Sequence, residues 1–403
     1  MTATKNIQVT AIQLYLKKGK EQSVRRYHPW IFSGAIGRTT GSPAEGDVVE
    51  INASDGTYLA TGHWSPGSIA VRIFSFIKCE ADRDFFLSKI KAAYNYRIIA
   101  GIAGKDDTDT WRLIHGEGDG LPGLIVDIYG SVAVLQAHSA GFWHIRQMIA
   151  ELVTEVLNGR ITSVYDKSEG TLPFMANLGA LNGNLAGVDP GNSAVVTENG
   201  MKFRVDWKTG QKTGFFIDQR DNRELLSKYS KGKNVLNMFG YTGGFSVYAM
   251  KNAALVHTVD SSAGAMALAD ENVKMNFGDD PRHKPVTADA FNYLAEMKRD
   301  YDLIVLDPPA FAKHQNVLTK ALLGYRRLNA IAMERIRPGG MLFTFSCSQV
   351  VSRDDFRRSL FVAAANTGRT VRIVDQMGQP ADHPVNIYHP ESEYLKGFIL
   401  HVE

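Results

Sequence analysis

Two apolar runs in the last third of the chain end on side chains that can do covalent chemistry. Leu303-Ile304-Val305-Leu306 stops at Asp307-Pro308-Pro309, and Met341-Leu342-Phe343-Thr344-Phe345 stops at Ser346-Cys347-Ser348. Each is rich in β-branched or aromatic residues and reads as a strand buried on both faces. In an open parallel sheet, ligands bind just outside the carboxyl ends of the strands. Neighbouring strands would therefore bring the Asp307 carboxylate and the Cys347 thiol into one crevice. A lone strand cysteine is commonly a small buried hydrophobe. Cys347 instead falls past the apolar run, ahead of a helix starting near Ser352, where a helix N-terminus can lower a thiol pKa. A thiolate there can add to carbon 6 of cytosine and make carbon 5 nucleophilic. Asp307 can hydrogen-bond ring nitrogen 3 or the exocyclic amine and stabilise the developing charge. A base must then remove the carbon-5 proton; His383, Lys313 and a water are the candidates. Cys79 closes an apolar run far from these motifs and reads as structural or inert.

A ligand loop precedes this pair. The strand Asn234–Phe239 runs into Gly240-Tyr241-Thr242-Gly243-Gly244 and then a helix. Glycines at a strand-to-helix turn let a ligand approach the backbone. The next strand ends at Asp260-Ser261, where a carboxylate can accept both hydroxyls of an adenosine ribose. A third ends at Asp289-Ala290, placed to meet an adenine amino group. The loop lacks dinucleotide spacing and is no Walker loop. Acids at successive strand ends suit S-adenosylmethionine, although Asp also caps helices. The expected cofactor set is Gln219, Arg220, Phe239, Tyr241, Thr242, Gly243, Asp260, Ser261, Asp289, Ala290 and Asp307; no metal is expected. Asp-Pro-Pro followed by an aromatic also occurs in amine methyltransferases, but here Phe311 stands one position later, and Cys347 favours carbon-5 chemistry.

The elements that must position these residues fall into three stretches. Residues 1–78 hold short alternating runs broken by Gly and Pro, which read as a small β-barrel or sandwich. Among them are Val9–Leu16 and Ala70–Phe76. Residues 79–204 read as a central α+β domain, with helices over Asp82–Ile99 and Phe142–Leu157 and a hairpin at Tyr129-Gly130-Ser131. From residue 205 onward, apolar strands alternate with helices, the pattern of a doubly wound α/β sheet. The chain has 403 residues and a net charge of only +3, so no global basic field announces nucleic acid. The charge is uneven: Lys17, Lys18, Lys20, Arg25 and Arg26 cluster near Trp30 and Phe32, with only Glu21 opposing them. Lys17, Lys18, Arg25 and Arg26 are the expected RNA contacts; Trp30 and Phe32 are expected in the barrel core. Two cysteines suit a reducing cytoplasm. No signal peptide or membrane span is read.

With these residues in hand, the chain resembles the bacterial large-subunit rRNA (cytosine-C5)-methyltransferases that carry an N-terminal PUA domain. The resemblance spans nearly the whole chain. It rests on H-P-W-I-F-S-G at 28–34, R-L-I-H-G-E-G-D-G-L-P-G-L at 112–124 and G-Q-K-T-G-F-F-I-D-Q-R-D-N-R at 210–223. It rests also on N-M-F-G-Y-T-G-G-F at 237–245, D-P-P-A-F at 307–311, F-S-C-S at 345–348 and Y-L-K-G-F at 394–398. The resemblance implies a PUA domain, a central domain and a Rossmann-like class I methyltransferase domain. It implies S-adenosylmethionine as cofactor, 23S rRNA as partner, 5-methylcytosine as product and Cys347 as nucleophile. Asp218, Gln219 and Arg220 are implied to touch the methionine part of the cofactor. Two-cysteine relatives carry a second Cys after the acid motif; Pro309 stands there here, so release must proceed without a second thiol. A cytoplasmic protein with no membrane partner is expected, and a homodimer is left open. Guanine methylation, and a non-catalytic RNA-binding assembly factor, are the alternatives.

Overall fold

The computed structural model describes residues 12–173, 178–312 and 314–403. Their contacts divide the chain into two units, one of residues up to 103, 111–191 and 384–390, the other of 104–110, 192–383 and 391–403.

In the first unit, β1 (Ile12–Leu16) leads through α1 (Gln22–Arg25) to β2 (Trp30–Phe32), β3 (Ile36–Thr39), β4 (Val48–Asn52), β5 (Tyr58–Trp64) and β6 (Ile69–Ser75). They form one sheet in the order β2-β6-β5-β4-β1-β3. Period-two alternation puts Leu14 and Leu16 into a core with Val49, Ile51, Val71 and Ile73. The start of the expected Val9–Leu16 strand lies outside the described residues. Phe32 is not a core residue; it is 52% exposed, while Trp30 is half-buried.

Helix α2 (Arg83–Ile99) starts where the Asp82 side chain accepts the Phe85 N–H at 2.9 Å. A second sheet follows: β7 (Thr110–His115), β8 (Leu124–Tyr129), β9 (Val132–Ala137), β10 (Ser163–Asp166) and β11 (Gly183–Gly187), in the order β11-β10-β9-β8-β7. The single helix expected over 142–157 is two: α3 (Ala140–His144) and α4 (Arg146–Val156). The Arg146 guanidinium donates to the Trp143 carbonyl at 2.7 Å and lies 3.9 Å from the Trp143 ring, which ends the first helix.

The second unit opens with the hairpin β12 (Ser193–Glu198) and β13 (Met201–Asp206). Asn199 and Gly200 both take positive φ, the signature of a two-residue hairpin turn. These strands, placed by sequence in the central domain, lie in this unit. Then follow α5 (Arg220–Tyr229), β14 (Asn234–Met238), α6 (Gly244–Met250), β15 (Leu255–Asp260), α7 (Ala263–Phe277), β16 (His283–Thr287), α8 (Ala290–Glu296) and β17 (Leu303–Leu306). The chain closes with α9 (Leu318–Arg335), β18 (Gly340–Ser346), α10 (Arg353–Thr367), β19 (Val371–Met377) and β20 (Lys396–Val402). The sheet order is β16-β15-β14-β17-β18-β20-β19. It is parallel except for β20, which runs antiparallel to both neighbours. Strand order reverses at β14, so a crevice opens outside the ends of β14 and β17. Among the described residues no helix is long and apolar enough to cross a membrane.

Candidate active site

Every strand end picked out by sequence meets at that crevice. A cleft of about 340 Å³ is lined by the loop after β14, by Asp260 and Ser261 after β15, by Asp289 and Ala290 after β16, and by Asp307, Pro308, Pro309 and Cys347. β17 and β18 pair in parallel with Leu306 opposite Thr344, so Asp307 and, two residues further along its own strand, Cys347 leave adjacent strand ends into the same cleft. The Cys347 sulfur lies 3.9 Å from the Pro308 carbonyl oxygen.

The loop is bent as close ligand approach requires. Phe239 and Tyr241, both non-glycine, hold φ of 58° and 44°. Such strain persists only where surroundings enforce it, and it clusters at functional sites. A β-carbon at Gly240 would collide with Thr258, so only glycine fits there. Gly243 (φ 78°) does not line the cleft; its added β-carbon would stand 2.9 Å from Ala269, so it serves helix packing instead. Asp260 accepts the Tyr241 N–H at 3.1 Å and the Ser262 N–H at 3.0 Å, which ties the loop to the carboxylate and leaves lone pairs for hydroxyls. Asp289 caps α8 by accepting the Asn292 N–H at 2.9 Å, so the capping alternative is realised at a residue that also lines the cleft.

The segment before α5 supplies the remaining wall. Asp218 is buried; one carboxylate oxygen accepts from Lys212 and from the Tyr394 hydroxyl, each at 2.7 Å. The other oxygen is buried with no hydrogen-bond partner. Burial opposes its ionisation, yet Lys212 and His383 outweigh that and hold its pKa well below the usual carboxylate range. An ionised, half-satisfied carboxylate in a cleft wall is an acceptor for a cationic amine. Gln219 lines the cleft as expected, but Arg220 does not. Its guanidinium turns away, donating to Asp382 at 2.8 Å and to the Thr110 carbonyl at 3.0 Å. Arg223 lines the cleft instead, held by Glu198 at 2.9 and 2.6 Å. A buried guanidinium takes the nearest buried carboxylates, and sequence spacing could not say which arginine had them.

The pair Asp307 and Cys347 differs electrostatically from expectation. Helix α10 begins only at Arg353, and the Cys347 pKa rises rather than falls. Burial and the neighbouring Asp307 push it up to about 11. Burial and the Asp218 charge likewise push Asp307 up to about 7. His383 is committed to Asp382 at 3.0 Å and does not line the cleft; Lys313 lies outside the described residues. Phe311 packs on Tyr325, ring centres 4.6 Å apart, and is not in the cleft. Sequence reading passed over Lys212, Phe216, Phe291, Tyr394 and Lys396. Lys396 is buried and donates to the Ser348 and Tyr394 carbonyls at 2.6 and 2.7 Å. The motifs at 210–223 and 394–398 were the signal for four of them. In the first unit, Lys17, Lys18, Arg25 and Arg26 are all exposed, with the Lys17 ammonium 3.0 Å from the Gly34 carbonyl.

A Rossmann-like sheet with this cleft at its switch point defines an S-adenosylmethionine-dependent methyltransferase. The sequence model for that class matches residues 181–390, and one for a PUA-like domain matches residues 14–76. The chain is 40% identical to the ribosomal RNA large subunit methyltransferase I of Erwinia tasmaniensis, over 97% of this chain and 99% of that protein. It is equally similar, with the same coverage, to its namesake in Aeromonas salmonicida. The chain belongs to this ribosomal RNA large subunit methyltransferase I family. A putative methyltransferase crystallised with SAH shares the fold, with a TM-score of 0.83 at 23% identity over 97% of this chain and 100% of that one.

Proposed function

We propose that this protein forms 5-methylcytosine in 23S ribosomal RNA through a covalent adduct on Cys347, in the cytoplasm. The observation that carries this is that the Cys347 thiol and the Asp307 carboxyl leave adjacent strand ends into one cleft. The relatives' name supports the RNA, and the PUA-like match supports a separate RNA-binding element. We keep the domains read from sequence, 1–78, 79–204 and 205–403, with the second boundary moved ahead of the β12–β13 hairpin, to about residue 192.

The cleft fits S-adenosylmethionine: the unsatisfied Asp218 oxygen would accept the ammonium, Asp260 would accept ribose hydroxyls, and the loop through Gly240 would line the ligand between them. Gln219, Phe239, Tyr241, Thr242, Ser261, Asp289 and Ala290 complete the enclosure. When bound, this cofactor supplies an electrophilic methyl group carried on a sulfonium. With a pKa of about 7, Asp307 is partly protonated at neutral pH and can donate to ring nitrogen 3. That donation withdraws charge from the ring as the sulfur bonds to carbon 6, and carbon 5 becomes the nucleophile. Loss of the carbon-5 proton then expels the thiolate. Amine methylation is disfavoured because Phe311, the aromatic of the acid motif, packs on Tyr325 against the core and does not line the cleft.

The test is a map of 5-methylcytosine in 23S rRNA from cells with and without the gene. Loss of one such mark, restored by the wild-type chain, is expected. A lost methylguanine with cytosine marks intact would overturn the reading.

A further inference from the structure

The methyltransferase cleft leaves the motif at 112–124 without a task, and that motif builds something in the first unit. Glu117 accepts the Trp30 indole N–H at 2.8 Å, and its carbonyl accepts the Asn386 side-chain amide at 3.1 Å. A β-carbon at Gly118 would collide with the Pro384 carbonyl. His389 then packs against Trp30, ring centres 4.2 Å apart. Residues 384–390 are thereby clamped beside the segment joining α1 to β2, from the far end of the sequence.

The clamp places Tyr388 against Tyr27, with ring centres 5.2 Å apart; Tyr27 in turn meets Phe76 edge-on at 5.3 Å. The two tyrosines are 51% and 50% exposed. Tyr27 also holds φ at 63°, a strained state for a bulky residue. Arg25 and Arg26, both exposed, precede it directly, and residues 384–390 carry no charged side chain. A protein partner would be expected to bring acidic groups or a continuous apolar face; two half-exposed rings beside cations match bases and phosphates.

We infer that Tyr27 and Tyr388 form a composite stacking shelf for unpaired bases of the RNA substrate, flanked by Arg25 and Arg26 on its phosphates. The inference rests on the RNA substrate proposed above and adds the face that grips it. Stacking and phosphate contacts separate experimentally, because only the latter release counterions. The probe is an unpaired RNA of about twelve nucleotides, bound to the full chain and followed by fluorescence anisotropy across a salt series. Tyr388→Ala, and separately Tyr27→Asn, which tolerates positive φ, should each weaken binding about five- to hundredfold at every salt concentration with an unchanged salt slope. Tyr388→Phe should bind like wild type. Melting temperature and S-adenosylmethionine affinity should not move. Wild-type affinity in Tyr388→Ala, or an equal loss in Tyr388→Phe, overturns the shelf. A loss seen only with assembled large subunits, not with the oligonucleotide, overturns it in favour of protein docking. A wild-type chain that binds no RNA overturns both the shelf and the substrate assignment.

Discussion

A thiol pushed up to about 11 beside a carboxyl pushed up to about 7 imposes a pH law on any reaction that needs the thiolate and the protonated acid. Below pH 7 the acid stays protonated, and the thiolate fraction grows about tenfold per pH unit. Above about 7 the acid ionises as fast as the thiolate accumulates, so the product of the two fractions levels off. The single-turnover rate should therefore climb and then plateau near pH 7. In Asp307→Asn the plateau should vanish and the rate keep climbing, from a starting point lowered about a hundredfold. A wild-type rate that climbs without a break through pH 9 would separate Asp307 from the chemistry. Cys347→Ser should abolish methylation and the stalled adduct with 5-fluorocytosine RNA, because the fluorine cannot leave as a proton. Cys79→Ser, at the half-buried cysteine of the first unit, should change neither on a denaturing gel. Retained methylation in Cys347→Ser would remove the covalent mechanism and leave the cofactor cleft standing.

At the scale of elements, the cleft depends on what ties loops to strands. Asp260 ends β15 and receives two backbone N–H groups from the loops around it. Asp260→Ala should cost about 1–3 kcal/mol of S-adenosylmethionine binding, read by calorimetry; unchanged affinity would deny it the ribose. Behind the cleft, Glu198 on β12 is fully buried and accepts from Arg223 at 2.9 and 2.6 Å and from the Tyr248 hydroxyl at 3.0 Å. Glu198→Ala would leave a buried guanidinium without its carboxylate, a loss of about 3–5 kcal/mol in folding stability. Denaturant unfolding would show it as a lowered midpoint. A shift within error would mean that Arg223 reaches another acceptor.

For the whole molecule, a net charge of +3 is too small for a general field, so RNA binding must rest on local patches. Replacing Arg25 and Arg26 by Ala should lower the slope of log affinity against log salt by about 1.5, with cofactor affinity intact. An unaltered slope would reduce the cluster to a solvated face. The sequence alone determined the sheet, because continuous apolar strands spaced by helices bury only in a two-sided α/β layer. It determined that the ends of β14, β15, β16, β17 and β18 line one cleft, since side chains just past the carboxyl ends of parallel strands face the crevice at the switch point. The tertiary structure decided what depends on partners distant in the chain. Arg223 rather than Arg220 faces the cleft because Glu198 and Asp382 sit where folding puts them. Phe32 is exposed rather than core, since Ile31 takes the core-facing position of β2 and strand alternation turns Phe32 to the other face. Cys347 is a thiol of raised rather than lowered pKa, because burial and a neighbouring carboxylate act through space, and no linear motif records them.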